Sequence, residues 1–129
     1  MSASTVGQFL SPMSFQDPPV ITPSGWIEHG PFAAWLVEAT SPDLLVELGT
    51  HWGYSFFAFC EAVRTLGLDT RCVAIDTWEG DEHAGFYSDE VHDYVASVAK
   101  GYGSTAAMMR MRFDQAVGSF EDGSIDVLH

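Results

Sequence analysis

Positive charge is scarce in this chain. Five Lys and Arg stand against eighteen Asp and Glu, a formal net charge of −13. So acidic a surface repels nucleic-acid phosphates and anionic lipid headgroups, which excludes both as expected partners and leaves solubility as the plainest use of the charge. Cysteine is as rare: Cys60 and Cys72 form neither a disulfide framework nor a metal-ligand pattern, and they read as small buried hydrophobes in a reducing compartment. No apolar run is long enough to span a bilayer, and Met1–Gly25 lacks a basic region followed by an apolar core. Neither a membrane span nor a signal peptide is therefore expected, and the expected location is cytoplasmic. Also missing is the turn Gly-x-Gly-x-x-Gly, whose middle glycine lets a dinucleotide pyrophosphate approach the backbone.

What the chain does contain fits one α/β unit. Its 129 residues, 47% of them hydrophobic and 13% aromatic, suffice for one core. Met1–Gly25 carries Pro12, Pro18, Pro19 and Pro23 and reads as an irregular arm. A helix is expected over Ile27–Ala39, with Phe32, Trp35, Leu36 and Ala39 at helical spacing and Pro31 in its first turn. Leu44–Leu48 reads as a strand and Tyr54–Leu66 as a helix. Phe56, Phe57, Phe59, Cys60 and Val63 spread over more than one face of that helix, which makes it a buried one. Cys72–Ile75 is a second strand, Asp89–Lys100 a more polar helix, Ala106–Met111 a third strand, Phe113–Phe120 a short helix or turn, and Ile125–His129 a fourth strand.

The most informative segment is Leu44-Leu-Val-Glu-Leu-Gly-Thr-His-Trp-Gly53. Strand, glycine-bounded turn and helix follow in order, the first half of a βαβ unit. Gly49 and Gly53 bring the backbone close to a ligand, and the N–H groups opening the next helix point into the same space. Asp76 ends the second strand about 23 residues past Gly53, where an acid accepts hydrogen bonds from both hydroxyls of a ribose. The absent middle glycine and the acid at Glu47 oppose a phosphate-bearing dinucleotide and an oxidoreductase that would use one. A sulfonium with an amino-acid tail meets neither obstacle, since a carboxylate near its ammonium group is favourable. The chemistry points to S-adenosylmethionine.

Glu47–Gly53 together with Val73-Ala-Ile-Asp-Thr-Trp-Glu-Gly-Asp-Glu-His-Ala-Gly-Phe-Tyr87 resembles the class I S-adenosylmethionine-dependent methyltransferases, in the small-molecule group that includes cephalosporin-hydroxylase-like proteins. The likeness runs from about Trp26 to His129. It implies a Rossmann-like, doubly wound, mostly parallel sheet, here truncated after its fourth strand, with residues 1–25 as the arm and 26–129 as a partial cofactor-binding domain. It implies that Glu47, Gly49 and Gly53 surround the methionine part of the cofactor, that Thr50 and Ser55 are further cofactor-binding residues, that Asp76 holds the ribose, and that Thr77 and Trp78 lie beside ribose and adenine. Family members continue past the fourth strand, so a missing continuation or a homo-oligomer is expected to cover its open side.

Asp76–Asp93 holds seven carboxylates, Asp76, Glu79, Asp81, Glu82, Asp89, Glu90 and Asp93, with His83 and His92 among them. Three readings stand. It forms a lid hinged at Gly80 and Gly85, with His83 or Tyr87 touching the substrate, which the resemblance supports. It holds Mg2+ beside an acceptor hydroxyl, as some small-molecule O-methyltransferases do, although no metal ligand is assigned among these residues. Or it is a solvated acidic loop. His51 packs on Trp52, caps the next helix or acts as a base, and His29 borders the acceptor pocket; no catalytic residue is assigned. The expected function is methyl transfer, chiefly to an oxygen of a small molecule such as a sugar or natural product. The alternative is a non-catalytic cofactor-binding or interaction module of a larger protein.

Overall fold

The computed structural model describes residues 10–129; the arm expected over Met1–Gly25 therefore lies partly outside the described residues. Its described part is not wholly irregular. Pro12–Phe15 makes a turn of 3-10 helix whose open N–H group is capped by Ser11.

Four strands form one parallel sheet: β1 (Leu44–Leu48), β2 (Arg71–Asp76), β5 (Ala106–Arg110) and β6 (Val127–Leu128), in the order β5-β2-β1-β6. Parallel strands are joined by crossovers that place helices on the faces, which is why β1 and β2 are apolar runs without alternation. Side chains still divide by the pleat. Leu45, Cys72 and Ala74 meet α1 (Gly30–Thr40), α2 (Tyr54–Leu66) and α3 (Glu90–Lys100) on one face. Val46, Val73 and Ile75 meet α4 (Phe113–Ala116) and the turns after it on the other. With helices on both faces the sheet is doubly wound, as expected.

The first of these faces carries most of the core. Phe56, Phe57 and Phe59 of α2 are all buried, and each contributes roughly 1.5–3 kcal/mol by leaving water. The helix begins and ends on glycines with positive φ, Gly53 at +87° and Gly67 at +65°. These left-handed positions let the chain turn sharply at both ends, and they account for the close agreement of α2 with its expected span.

Three elements differ from expectation. Helix α1 starts at Gly30 rather than Ile27, because Pro31 lacks an N–H and is tolerated only in a first turn; residues 26–29 form a separate turn closed by the His29 N–H on the Trp26 carbonyl. The last strand is Val127–Leu128, shorter than expected, although backbone bonds flank it, Asp126 N–H to the Leu44 carbonyl and His129 N–H to the Val46 carbonyl, and the Asp126 carboxylate also accepts from the backbone N–H groups of Asp43 and Leu44. The acidic stretch contains an antiparallel hairpin, β3 (Gly80–Asp81) with β4 (Gly85–Phe86).

The sheet order reverses between β1 and its two neighbours: β2 and β5 lie on one side, β6 on the other. In open parallel sheets the crevice at such a reversal, beyond the strands' carboxyl ends, is where ligands bind. Both Glu47 and His129 lie there.

Candidate functional site

The turn after β1 is fastened before any ligand is considered. Gly49 N–H donates to the Ile75 carbonyl and Gly53 N–H to the Thr50 carbonyl, each at 2.9 Å. His51 takes a positive φ of 53°, unusual for a residue with a side chain. Its N–H is held by Asp76 Oδ2 at 2.9 Å, while Asp76 Oδ1 accepts from the Trp78 N–H at 2.9 Å. One carboxylate thus ties the turn after β1 to the turn after β2, and each oxygen keeps acceptor capacity toward the crevice.

Trp78 departs from its expected place beside ribose and adenine. At φ 52° its side chain turns inward, is fully buried in the α1–α3 core, and donates from Nε1 to the His51 carbonyl at 3.0 Å. It supports the glycine turn from behind.

A cleft of about 650 Å³ opens at this point. Gly49, His51, Asp76 and Thr77 form its floor, the β3–β4 hairpin with Tyr87 one wall, and Arg112, Phe113 and Asp114 the other. The hairpin is tightly made. Asp81 Oδ1 accepts from the N–H groups of His83 and Ala84 at 2.8 and 2.7 Å, and these bonds hold its carboxyl below the usual range. A Cβ at Gly80 would lie 2.0 Å from the Gly85 carbonyl oxygen, so glycine there closes the hairpin. The Tyr87 ring approaches His51 at 5.3 Å, and burial, with the charges of Asp76 and Asp81, pushes its phenol up to about 12. His83 is exposed and outside the cleft wall, whereas His92 packs edge-on against Trp78. Asp89 is paired with Arg110. Among the described residues no group of three or more His, Cys, Asp or Glu is placed to hold a metal, so the acidic stretch gives the Mg2+ reading no support.

A second, smaller recess of about 170 Å³ lies between Pro23–Trp26 of the N-terminal segment and the turn Gly49–Ser55, with His129 at its side. Behind its wall Glu47 is 1% exposed. Its Oε2 accepts from the Ser55 hydroxyl at 2.6 Å and lies 2.9 Å from His129 Nδ1. The bond to Glu47 raises the pKa of His129 above its ordinary value, against the opposing effect of burial. Two buried atoms here have no partner among the described residues: Oε1 of Glu47 and Oγ1 of Thr50. Burying an acceptor unsatisfied is costly, so Glu47 Oε1 favours a hydrogen-bond donor at this place.

The expected residues thus divide between the two spaces. Gly49 borders both, Asp76 and Thr77 line the cleft, and Thr50, Gly53 and Ser55 line the recess with Glu47 behind them. Sequence reasoning missed Trp26, His129, Arg112 and Phe113 as site residues. Only geometry gathers them, because each lies far along the chain from the glycine turn.

The profile of the methyltransferase domain family matches residues 46–129. Over 120 residues the chain is 47% identical to an uncharacterized protein, y4gI, of Sinorhizobium fredii, covering 93% of this chain and 13% of that protein. Among solved structures it is similar to the O-methyltransferase TomG from Streptomyces achromogenes, involved in tomaymycin synthesis and crystallised with SAM, at a TM-score of 0.57 and 19% identity over 85% of this chain and 45% of that one. It is also similar to the O-methyltransferase from Bacillus cereus in complex with SAH, at a TM-score of 0.55 and 18% identity over 99% and 54%. At such identities the likeness is one of fold, and the chain spans about half the length of these solved relatives. Because the family profile covers most of the chain, including the glycine turn and Asp76, the chain belongs to the methyltransferase domain family.

Proposed function

We propose that this chain binds S-adenosylmethionine and forms the cofactor-binding part of a methyltransferase acting on an oxygen of a small molecule, such as a sugar or natural product. The observation that carries the reading is the buried Glu47 carboxylate beside a glycine turn, its Oε1 without a partner among the described residues. A cationic amino-acid tail would satisfy it, and a phosphate would be repelled. When bound, the cofactor supplies an electrophilic methyl group on a sulfonium sulfur.

The chain's own residues would bind and orient. Glu47, Thr50 and Ser55 take the methionine end, and Gly49 and Gly53 admit it close to the backbone. Asp76 and Thr77 hold the ribose, while Tyr87 closes that cleft from the hairpin side. The acidic surface favours neutral or cationic acceptors over phosphorylated ones. Leu48, Val117 and Leu128 leave apolar surface exposed beside β6, which supports a further segment or a second copy packing there.

Titration calorimetry with S-adenosylhomocysteine and with NAD tests the cofactor. S-adenosylhomocysteine is expected to bind and NAD to release no heat; binding of NAD alone would sink the reading. A second reading, a non-catalytic cofactor-binding module, is favoured by the 13% share of the Sinorhizobium relative that the chain spans. It predicts the same binding with no methyl transfer to a panel of sugars, phenols and catechols.

A further inference from the structure

Glu47 and His129 form a carboxylate–imidazole pair at the carboxyl ends of β1 and β6. Ionised Glu47 offers acceptors only, so across the 2.9 Å contact Nδ1 of a neutral His129 carries the proton and Nε2 keeps its lone pair. The ring is held firmly for a group that borders a recess. Its centroid lies 4.4 Å from that of Trp26 and 5.6 Å from that of Phe59. Its backbone is bonded to β1 on both sides, His129 N–H to the Val46 carbonyl at 2.9 Å and Leu48 N–H to the His129 carbonyl at 2.8 Å. Among the described residues no hydrogen bond engages Nε2, the side chain is 34% exposed, and His129 is among the residues that line the recess.

We propose, resting on the methyltransferase reading above, that His129 is the catalytic base of the transfer and that Glu47 fixes its tautomer. The proton of the acceptor hydroxyl passes to Nε2 while the acceptor oxygen forms its bond to the methyl carbon. The carbon–sulfur bond breaks with its electron pair remaining on sulfur, and the imidazolium so formed is stabilised by the Glu47 carboxylate. This is the role a carboxylate commonly gives a histidine.

The other titratable groups around the recess are otherwise engaged. His51 is turned toward Tyr87, and the Tyr54 hydroxyl donates to the Ile27 carbonyl. His29 packs against Trp26 at 5.4 Å. Cys60, behind on α2, has its thiol pushed well up by burial and is neutral.

The test combines a tautomer measurement with a variant. In the full chain labelled with 15N-histidine, His129 is expected as the Nδ1–H tautomer at pH 8, with Nε2 taking up the proton on acidification. Glu47→Gln is expected to lower that titration point. An Nε2–H tautomer in the wild type would overturn the proposal. In His129→Asn the side-chain amide replaces the Nδ1 donor while Nε2 is lost. S-adenosylhomocysteine affinity should then stay within about 3-fold, whereas methyl transfer from S-adenosylmethionine to the acceptor panel should fall about 100-fold or more and lose its rise with pH. Retained transfer with the wild-type pH profile would also overturn it. If the wild type bound no S-adenosylhomocysteine, the cofactor reading would fail instead. If no acceptor in the panel were methylated, the tautomer measurement would decide alone.

Discussion

Replacing Gly53 with alanine separates two costs that usually arrive together. Gly53 has φ +87°, and a Cβ there would lie 2.5 and 2.8 Å from Cε2 and Cδ2 of Phe57. That ring cannot swing aside: it is fully buried, stacked on Tyr102 with centroids 5.7 Å apart, and edge-on to Phe56 at 5.3 Å. The left-handed backbone costs an L-residue roughly 1–2 kcal/mol, and forcing extra volume into a packed core costs roughly 1–3 kcal/mol. Gly53→Ala should therefore lose roughly 2–5 kcal/mol, a large part of the ~5–15 kcal/mol that holds a domain folded. Gly67, at the other end of the same helix, is the internal control. Its φ is +65° and nothing lies within 4 Å of its Cβ position, so Gly67→Ala should show only the roughly 1–2 kcal/mol backbone cost. Urea unfolding followed by circular dichroism gives both values, with midpoints lowered and slopes unchanged. Equal losses for the two variants would refute the steric argument and, with it, the packing of Phe57 beneath the turn.

Further outcomes follow from the same geometry. Asp76→Ala removes the acceptor of two backbone N–H groups, so it should cost roughly 1.5–3 kcal/mol in urea unfolding and abolish calorimetric binding of S-adenosylhomocysteine; unchanged binding would remove Asp76 from the ribose site. Trp78→Phe should lower stability by ~2 kcal/mol through lost volume and an unpartnered His51 carbonyl, while leaving ligand contacts intact, so that weaker stability with near-normal affinity separates a supporting residue from a contacting one. The pH dependence of the Glu47–His129 pair has a definite sign. The folded pKa of His129 is raised from 6.5, so the stability it adds is fully present below the unfolded value and is lost as pH rises through the folded one. The urea-midpoint advantage of the wild type over His129→Phe should thus shrink from pH 6 to pH 9, and a gap that widened would show the pair wrongly assigned.

The elements that were legible in the sequence are those whose signals are local. The run Leu44–Leu48 and the glycines flanking Tyr54–Leu66 are read without reference to the rest of the chain, and both spans agree with the structure. The start of α1 was obscured because Trp26 and Ile27 continue its apolar pattern, although Pro31 had already fixed the first turn. The β3–β4 hairpin, with two residues in each strand, is too short for any alternation, and it is set by the side chain of Asp81 instead. Asp76 was legible as an acid at a strand end, but its grip on two backbone N–H groups was not. Trp78 was misplaced because nothing in its neighbours signals a positive φ. His129 was invisible as a site residue, since its partner Glu47 is 82 positions away.

That separation governs the order in which the protein assembles. Helix α2, β1 and β2 are joined by short connections and pack early in any folding sequence that favours local contacts. Strand β6 must close a loop of some eighty residues onto β1, a step whose entropic cost falls due before its few backbone bonds form. Until then Glu47 has no imidazole and the recess no side wall. A refolding chain should accordingly regain its helical circular dichroism, and the cleft around Asp76, before the recess beside Glu47 is closed.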